Sequence, residues 1–459
     1  MERETTRLED VRPAPRGFAG ALRELGPGLI IAGSIVGSGE LIVTTGLGAK
    51  AGFTLLWLIV LGCVVKVFVQ IELGRSAISE GLTTLEAMDR MPGPRLGVSW
   101  LLWLWVLMYA SLFFQVAGIV GGAAQVVARA GVPWSEGALA AAVAALGALL
   151  LASGRYRWME AASVSMVAAF TVSTLAAVAL LFSTPYAPRA RDLLGGFRFG
   201  LPENFLWAFA AFGITGVGAS ELIYYPYWCL EKGYARRVGP KDGSREWLER
   251  ARGWVRVLHV DAWTSLVVYT VTTAAFYVLG AAVLHAKGLA VGDADLVPTL
   301  SHMYRETLGA GGLSVFLAGA FFVLFSTFFV ATASNARLLA DALRVFGFVR
   351  RPSESARMRV VRIACVAFPA VNVLLFVSFA TPVSLVLVGA VAQAVMLPLL
   401  ALLALRLCYE RREPELRAGA AWTACLWVGF ASMALAGLYQ AWERLSPYAG
   451  CLRAWLPAF

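Results

Sequence analysis

Two glutamates stand inside otherwise apolar stretches of this chain, each in the same local setting. Gly37-Ser38-Gly39-Glu40-Leu41-Ile42 and Gly218-Ala219-Ser220-Glu221-Leu222-Ile223 share a form, small residues followed by Glu-Leu-Ile. An ionisable group in apolar surroundings is costly and marks a functional site by default. Two carboxylates could neutralise one divalent cation. The hydroxyls of Ser38 and Ser220 and the main-chain carbonyls at Val36, Gly37, Gly216, Val217 and Gly218 could complete an oxygen shell, which suits Mg²⁺, Ca²⁺ or Mn²⁺. The same pair could instead act as a like-charge dyad in which one member holds a proton near neutral pH. A structural use is also open, with each Glu capping the half-helix that begins beside it.

The elements that must position these groups follow from composition. Of 459 residues, 59% are hydrophobic and 15% charged, and the mean hydropathy is +0.70; soluble domains average about 25% charged residues. The apolar residues fall into eleven blocks of bilayer-spanning length: Gly28–Ala49, Phe53–Leu73, Trp100–Val127, Gly137–Ala152, Ala161–Phe182, Phe205–Trp228, Trp263–Leu284, Leu313–Ala333, Val360–Phe379, Val383–Leu405 and Ala420–Leu438. In lipid the backbone must satisfy its own hydrogen bonds, so these blocks are expected to be helices of an all-α polytopic membrane protein.

The first and sixth blocks are interrupted by glycines, at 33, 37 and 39 and at 213, 216 and 218. Gly costs a helix about 1 kcal/mol relative to Ala, so clustered glycines predict unwound stretches, tolerated only where the backbone faces protein or a cavity. Five spans separate the two copies, and an odd number inverts the second. Paired broken spans in two inverted halves point to a transporter's binding site.

The net charge of +10 is explained without nucleic acid. With the N-terminus placed in the cytoplasm and eleven spans alternating, most of the 39 Lys and Arg fall on the inner side. That bias is the signature of a multi-pass protein of the cell membrane, with the lipid bilayer as its surroundings. Residues 1–24 read as a charged cytoplasmic arm without a cleavable signal. The six cysteines show no CxxC spacing and the three histidines no i,i+4 pair, so neither a zinc site nor a disulfide framework is expected.

The segment GPGLIIAGSIVGSGELIVTTGLGAKAGFTLLW, residues 26–57, resembles the first span of the Nramp (natural resistance-associated macrophage protein) family of divalent-metal transporters. The GPG opening, Gly39 and the closing GFTLLW fall in register. The span count, the broken sixth span and Pro398 in the tenth agree. The resemblance implies a LeuT-type (APC superfamily) fold. Spans one to five (25–183) and six to ten (203–408) would form a 5+5 inverted repeat, with an eleventh span at 419–443.

Departures from the family are as informative. Where its first break reads Asp-Pro-Gly-Asn, this chain has Gly37-Ser38-Gly39-Glu40; where its sixth span reads Met-Pro-His, this chain has Gly218-Ala219-Ser220 and then Glu221. The thioether that favours softer metals is absent. On the third span, where the family carries acidic proton relays, Gln115 stands instead. The resemblance also places Gln393 near a polar ligand position on span ten, leaves Met396 to the core, and offers Arg362 as a basic member of a coupling path.

The expected function is a secondary transporter of divalent cations, Mg²⁺ or Mn²⁺, by alternating access, with the ion as substrate and no cofactor. Glu40 and Glu221 would be its ligands and coupling groups, and protons a partner only if one of them carries a proton. A Na⁺- or H⁺-coupled carrier of an organic solute is the alternative, and a membrane signalling module a further one. No Ser/His/Asp set or phosphate loop argues for an enzyme. Four further expectations concern single elements. Glu72 pairs with Arg75 rather than with Lys66. Asp261 is a solvated residue at a span end. Asn335 and Arg337 close span eight or line an inner vestibule. The run Trp247–Arg250 lies on an amphipathic surface helix.

Overall fold

The computed structural model describes residues 10–28, 32, 35–152, 156–203, 205–349, 353–411 and 413–455, apart from the side chains of 156–164, 166–167, 414 and 440–455. Gly33 and the first nine residues of the arm lie outside this set, as does the side chain of Cys451. The chain is almost wholly helical. Among the described residues the one sheet is a hairpin of two short strands, Arg95–Leu96 and Val98–Ser99, ahead of span three.

Eight helices among the described residues are long and apolar enough to cross a membrane. They include span two (Leu56–Glu80), span three (Trp100–Arg129), span nine (Glu354–Phe379) and span ten (Pro382–Glu410). Span four (Glu136–Ala152) is shorter, and span five runs Tyr156–Leu181. Span six is divided into Phe205–Ile214 and Ala219–Glu231. Spans seven (Arg245–Leu279), eight (Gly312–Val345) and eleven (Ala420–Trp455) complete the set. Local chemistry explains the ends. Span two stops at Gly81, whose φ of +67° is the left-handed cap glycine adopts without strain. A Thr83–Glu86 capping box opens the short helix that follows it.

Span seven is longer than its apolar block. Ser244 accepts the Trp247 N–H at 3.0 Å and starts one continuous helix of 35 residues. Trp247 and Trp254 are buried against the rest of the molecule. The expected separate surface helix at Trp247–Arg250 is therefore the first turn of span seven. Hydropathy marks the lipid-facing stretch and misses turns that pack on protein. The amphipathic helix is instead Leu296–Leu308, between spans seven and eight, with Leu296, Leu300 and Tyr304 buried and Arg305 exposed.

Small residues bring the site-bearing elements together. A Cβ on Gly213 would lie 2.3 Å from the Ala390 carbonyl, so span six meets span ten backbone to backbone. A Cβ on Gly280 would lie 2.4 Å from the Thr45 carbonyl, which presses the π turn Gly280–Leu284 at the end of span seven against span one.

Asp261 is not solvated. It is buried in span seven and accepts the Gly26 N–H (3.1 Å), the Gly28 N–H (2.6 Å) and the Tyr225 hydroxyl (2.9 Å). A carboxylate here satisfies the free N–H groups at the entry to span one. A Cβ on Gly28 would sit 2.6 Å from Asp261 Oδ2, which explains the last glycine of the GPG opening. Asp261→Ala leaves three donors without this acceptor and is expected to cost about 3 kcal/mol or more. The readout is thermal melting of the purified protein, and an unchanged midpoint would show that span one is anchored elsewhere.

Candidate cation site at the helix breaks

Span one is loosened into a wider π turn rather than fully unwound at its break. After a turn at Val36 and Gly37 the chain enters a π-helix, Gly39–Thr44, and continues as Thr45–Ala51. The Gly37 carbonyl, expected to be free, accepts the Leu41 N–H at 3.1 Å. Glu40 is fully buried, and its carboxylate folds back onto the Gly37 N–H (3.3 Å). It also reaches across to the Gly216 N–H (3.3 Å) and the Thr273 hydroxyl of span seven (3.2 Å). One carboxylate therefore ties spans one, six and seven at mid-height. A side chain with three donors on it has a structural task whatever else it does.

Span six is unwound over Thr215–Gly218. Gly216 has φ +64°, and a Cβ there would also meet the Cys63 sulfur at 2.8 Å, so only glycine fits. The Thr215 hydroxyl bonds that of Thr44 at 3.0 Å, a second tie between the breaks. Cys63 thus brings one thiol against the Gly216 backbone at the break.

Glu221 occupies the position in span six that Glu40 occupies in span one. It lies in the first turn of Ala219–Glu231 and folds over Gly218, where a Cβ would lie 2.5 Å from Glu221 Oε2. The matching sequences thus give matching local geometry. The surroundings differ, because Glu221 is partly exposed. Its Oε2 accepts the Ser220 hydroxyl at 2.8 Å, while Gln393 Oε1 lies 2.8 Å from the same hydroxyl and accepts the Ser220 N–H at 2.9 Å. The Gln393 amide donates in turn to Gln115 Oε1 at 2.8 Å. The result is an oxygen-rich row from span six through span ten to span three.

The structure brings Glu40, Gly37, Gly216, Gly218, Ser220, Glu221 and Gln393 to the two breaks. Val36, Ser38 and Val217 are buried beside them. Arg362 is exposed on span nine, and its guanidinium makes no hydrogen bond with Glu40, Glu221 or Gln115 among the described residues. Met396 belongs to the core. No group of three or more His, Cys, Asp or Glu side chains suited to a metal occurs among the described residues.

The sequence reading missed Thr44, Thr215, Thr273 and Lys66. Lys66 is fully buried, and its ammonium donates to the main-chain carbonyls of Phe212 and of Thr215, the latter at 2.7 Å. Glu72 pairs with Arg75 (3.2 Å), as expected, and also with Arg411 (2.6 Å). The only signal for Lys66 was a lone charge in an apolar span with no partner at helical spacing.

On the side where span one begins, spans three, six and eight and the segment after span two are joined by polar contacts. Tyr227 of span six donates to Asp341 of span eight at 2.5 Å, and Thr83 donates to the same oxygen at 2.8 Å. Arg344 bridges Asp341 (2.6 Å) and Glu86 (2.8 Å), and Arg337 pairs with Glu231 at 2.8 Å. Tyr224 donates to Asn335 Oδ1 (2.6 Å), and Tyr109 to the Asn335 carbonyl (2.8 Å). Asn335 and Arg337 therefore do not close span eight. They lie within a helix that continues to Val345, on a face hydrogen-bonded to spans three and six.

Residues 28–443 match the model of a family described as natural resistance-associated macrophage protein-like. Among curated proteins, the chain is 26% identical over 284 residues to the divalent metal cation transporter MntH of Bacillus subtilis (strain 168). That alignment covers 61% of this chain and 62% of the relative. It is also 26% identical over 347 residues to a MntH of Bradyrhizobium diazoefficiens, covering 73% of this chain and 70% of that one. Among solved structures, a mutant of the Eremococcus coleocola manganese transporter superposes with a TM-score of 0.68 at 18% identity, over 96% of this chain and 92% of the other. Mhp1, a nucleobase-cation-symport-1 family transporter, superposes in a closed conformation with a TM-score of 0.54 at 16% identity, over 98% and 97%. The fold is thus the LeuT-type arrangement of two inverted sets of five spans with an eleventh appended, and the chain belongs to the Nramp-like family.

Proposed function

We propose that this protein is a secondary carrier that moves divalent metal cations, Mn²⁺ and Mg²⁺ foremost, by alternating access around the two helix breaks. The observation that carries the reading is the pair of breaks, each followed by a glutamate folded over a glycine three residues back, with Glu221 partly exposed beside Ser220 and Gln393. Membership of the family and the names of the MntH relatives support it. Hard oxygen ligands on the Glu221 side favour Mg²⁺ and Mn²⁺.

The Gln393–Gln115 bond puts two amides where a proton relay would need an acid, so carriage is not driven by protons through span three. The positive-inside bias supports a location in the cell membrane with the N-terminus in the cytoplasm. No part of this scheme requires an enzymatic step.

The test is influx of Mn²⁺ and Mg²⁺ into proteoliposomes of the purified protein, at two internal pH values. Saturable influx equal at both pH values is the expected result. Influx that follows the pH gradient would overturn the uncoupled scheme. Absence of flux for every divalent ion, from folded protein, would move an organic-solute carrier on the same fold to first place.

A further inference from the structure

Lys66 has no task in the scheme above, yet it holds an expensive position. A buried ammonium costs several kcal/mol unless acceptors compensate it. Glu72, the nearest carboxylate in span two, is taken by Arg75 and Arg411 and is not the partner. The acceptors are the carbonyls of Phe212 and Thr215, where the first half of span six ends and its break begins. Those carbonyls have lost their helical N–H partners and carry the negative end of the half-helix. The Phe212 ring lies under the ammonium at 5.0 Å and adds a cation–π contact. The Glu40 carboxylate accepts the N–H of Gly216, from the same peptide group whose carbonyl, that of Thr215, takes the ammonium.

Free carbonyls at a broken helix end, an aromatic face and the Glu40 carboxylate across the same peptide form a cradle for a small monovalent cation, the kind of site broken-helix carriers build. Here a covalently attached ammonium fills it. We propose that Lys66 is a tethered monovalent cation, standing where Na⁺ or K⁺ would otherwise bind, so that the protein is independent of either ion. The side chain holds the break of span six open and supplies one fixed positive charge to the site. Its transport consequence, divalent flux without an alkali-ion requirement, rests on the carrier reading. The cradle itself does not.

The experiment removes the tether and offers free cations. Wild type, Lys66→Ala and Lys66→Met are purified without divalent ions. Their melting is followed in N-methylglucamine chloride, NaCl, KCl and methylammonium chloride at equal ionic strength. Lys66→Ala is expected to melt low in the bulky cation and to recover by about 3 °C or more in at least one small cation, as binding to the folded state requires. Wild type is expected to be indifferent. Lys66→Met, which fills the space with an apolar chain, is expected to gain nothing from any of the salts.

Recovery of Lys66→Ala by none of the small cations would overturn the proposal, as would a Na⁺- or K⁺-specific gain by wild type. If Lys66→Ala does not fold, Lys66→Gln takes its place in the same comparison. Wild-type melting, and a requirement of wild-type divalent flux for Na⁺ or K⁺, then remain as independent grounds for rejection. Because the melting series contains no divalent ion, small-cation recovery in a protein that moves no divalent metal would sink the divalent-metal reading and leave the tethered cation standing.

Discussion

Glu221→Gln is expected to lower saturable Mn²⁺ influx by roughly 10- to 100-fold with the melting temperature almost unchanged, since a charge-assisted contact is worth about 1.5–3 kcal/mol. Glu221 is the partly exposed member of the pair, and its Oε2 accepts the hydroxyl of Ser220. The amide keeps the size and one acceptor oxygen but removes the charge that a divalent ion meets. Glu40→Gln is expected to behave differently. The Glu40 carboxylate accepts two backbone N–H groups and the Thr273 hydroxyl, from three separate spans. An amide there turns an NH₂ toward N–H donors, so the breaks lose their tie. The expected cost is about 3–5 kcal/mol of stability, the range for removing one partner from a buried charged network. Influx and melting measured side by side on both variants separate the roles. If Glu40→Gln melted normally and lost flux while Glu221→Gln kept both, the ion would have to be assigned to Glu40.

What could be read from the sequence was what local composition encodes. Gly216 and Gly218 announced the break in span six, and the Glu-Leu-Ile repeat announced equivalent positions in two inverted halves. Both hold because a missing Cβ and a helix-start carboxylate act within a few residues. The break in span one was read from the same kind of signal and came out differently. Gly37 is followed by a π turn, not an unwound stretch, because Glu40 and Leu41 take up its N–H and carbonyl. Span limits were misplaced wherever a helix leaves the lipid but continues against protein. Arg245–Val260 of span seven and Asn335–Val345 of span eight are too polar for a hydropathy window, and contacts from other spans hold them. Lys66, Asp261 and the Gln393–Gln115 row were out of reach for a different reason. Each is defined by a partner 146 or more residues away, at Phe212, Gly28 or span ten. No spacing within one helix reports such a pairing.

The second large effect concerns access. Asp341→Ala is expected to shift the protein from closed to open on the side where span one begins. The Asp341 carboxylate holds Tyr227 of span six, Thr83 beyond span two and Arg344 of its own helix. It joins span six and the segment after span two to span eight, whereas the neighbouring Arg344–Glu86 and Arg337–Glu231 pairs are more exposed and individually weak. Truncating one partner of a buried charged set costs about 3–5 kcal/mol, a factor of roughly 10² to 10³ in a two-state equilibrium. The effect on the balance depends on these contacts being made only in the closed form. Ser334 supplies the reporter. It is buried one turn deeper in span eight than Leu338, and its hydroxyl has no hydrogen-bond partner among the described residues. A cysteine placed there should be nearly inert to a water-soluble thiol reagent in the otherwise unchanged protein. With Asp341→Ala added, it should react at least about tenfold faster from that side, since opening exposes it. Labelling that stays slow in the double variant, with the protein folded, would mean that the Asp341 cluster stabilises the helices without controlling access. The closed side would then have to be held by the Tyr224 and Tyr109 contacts to Asn335, deeper in the molecule and nearer the breaks.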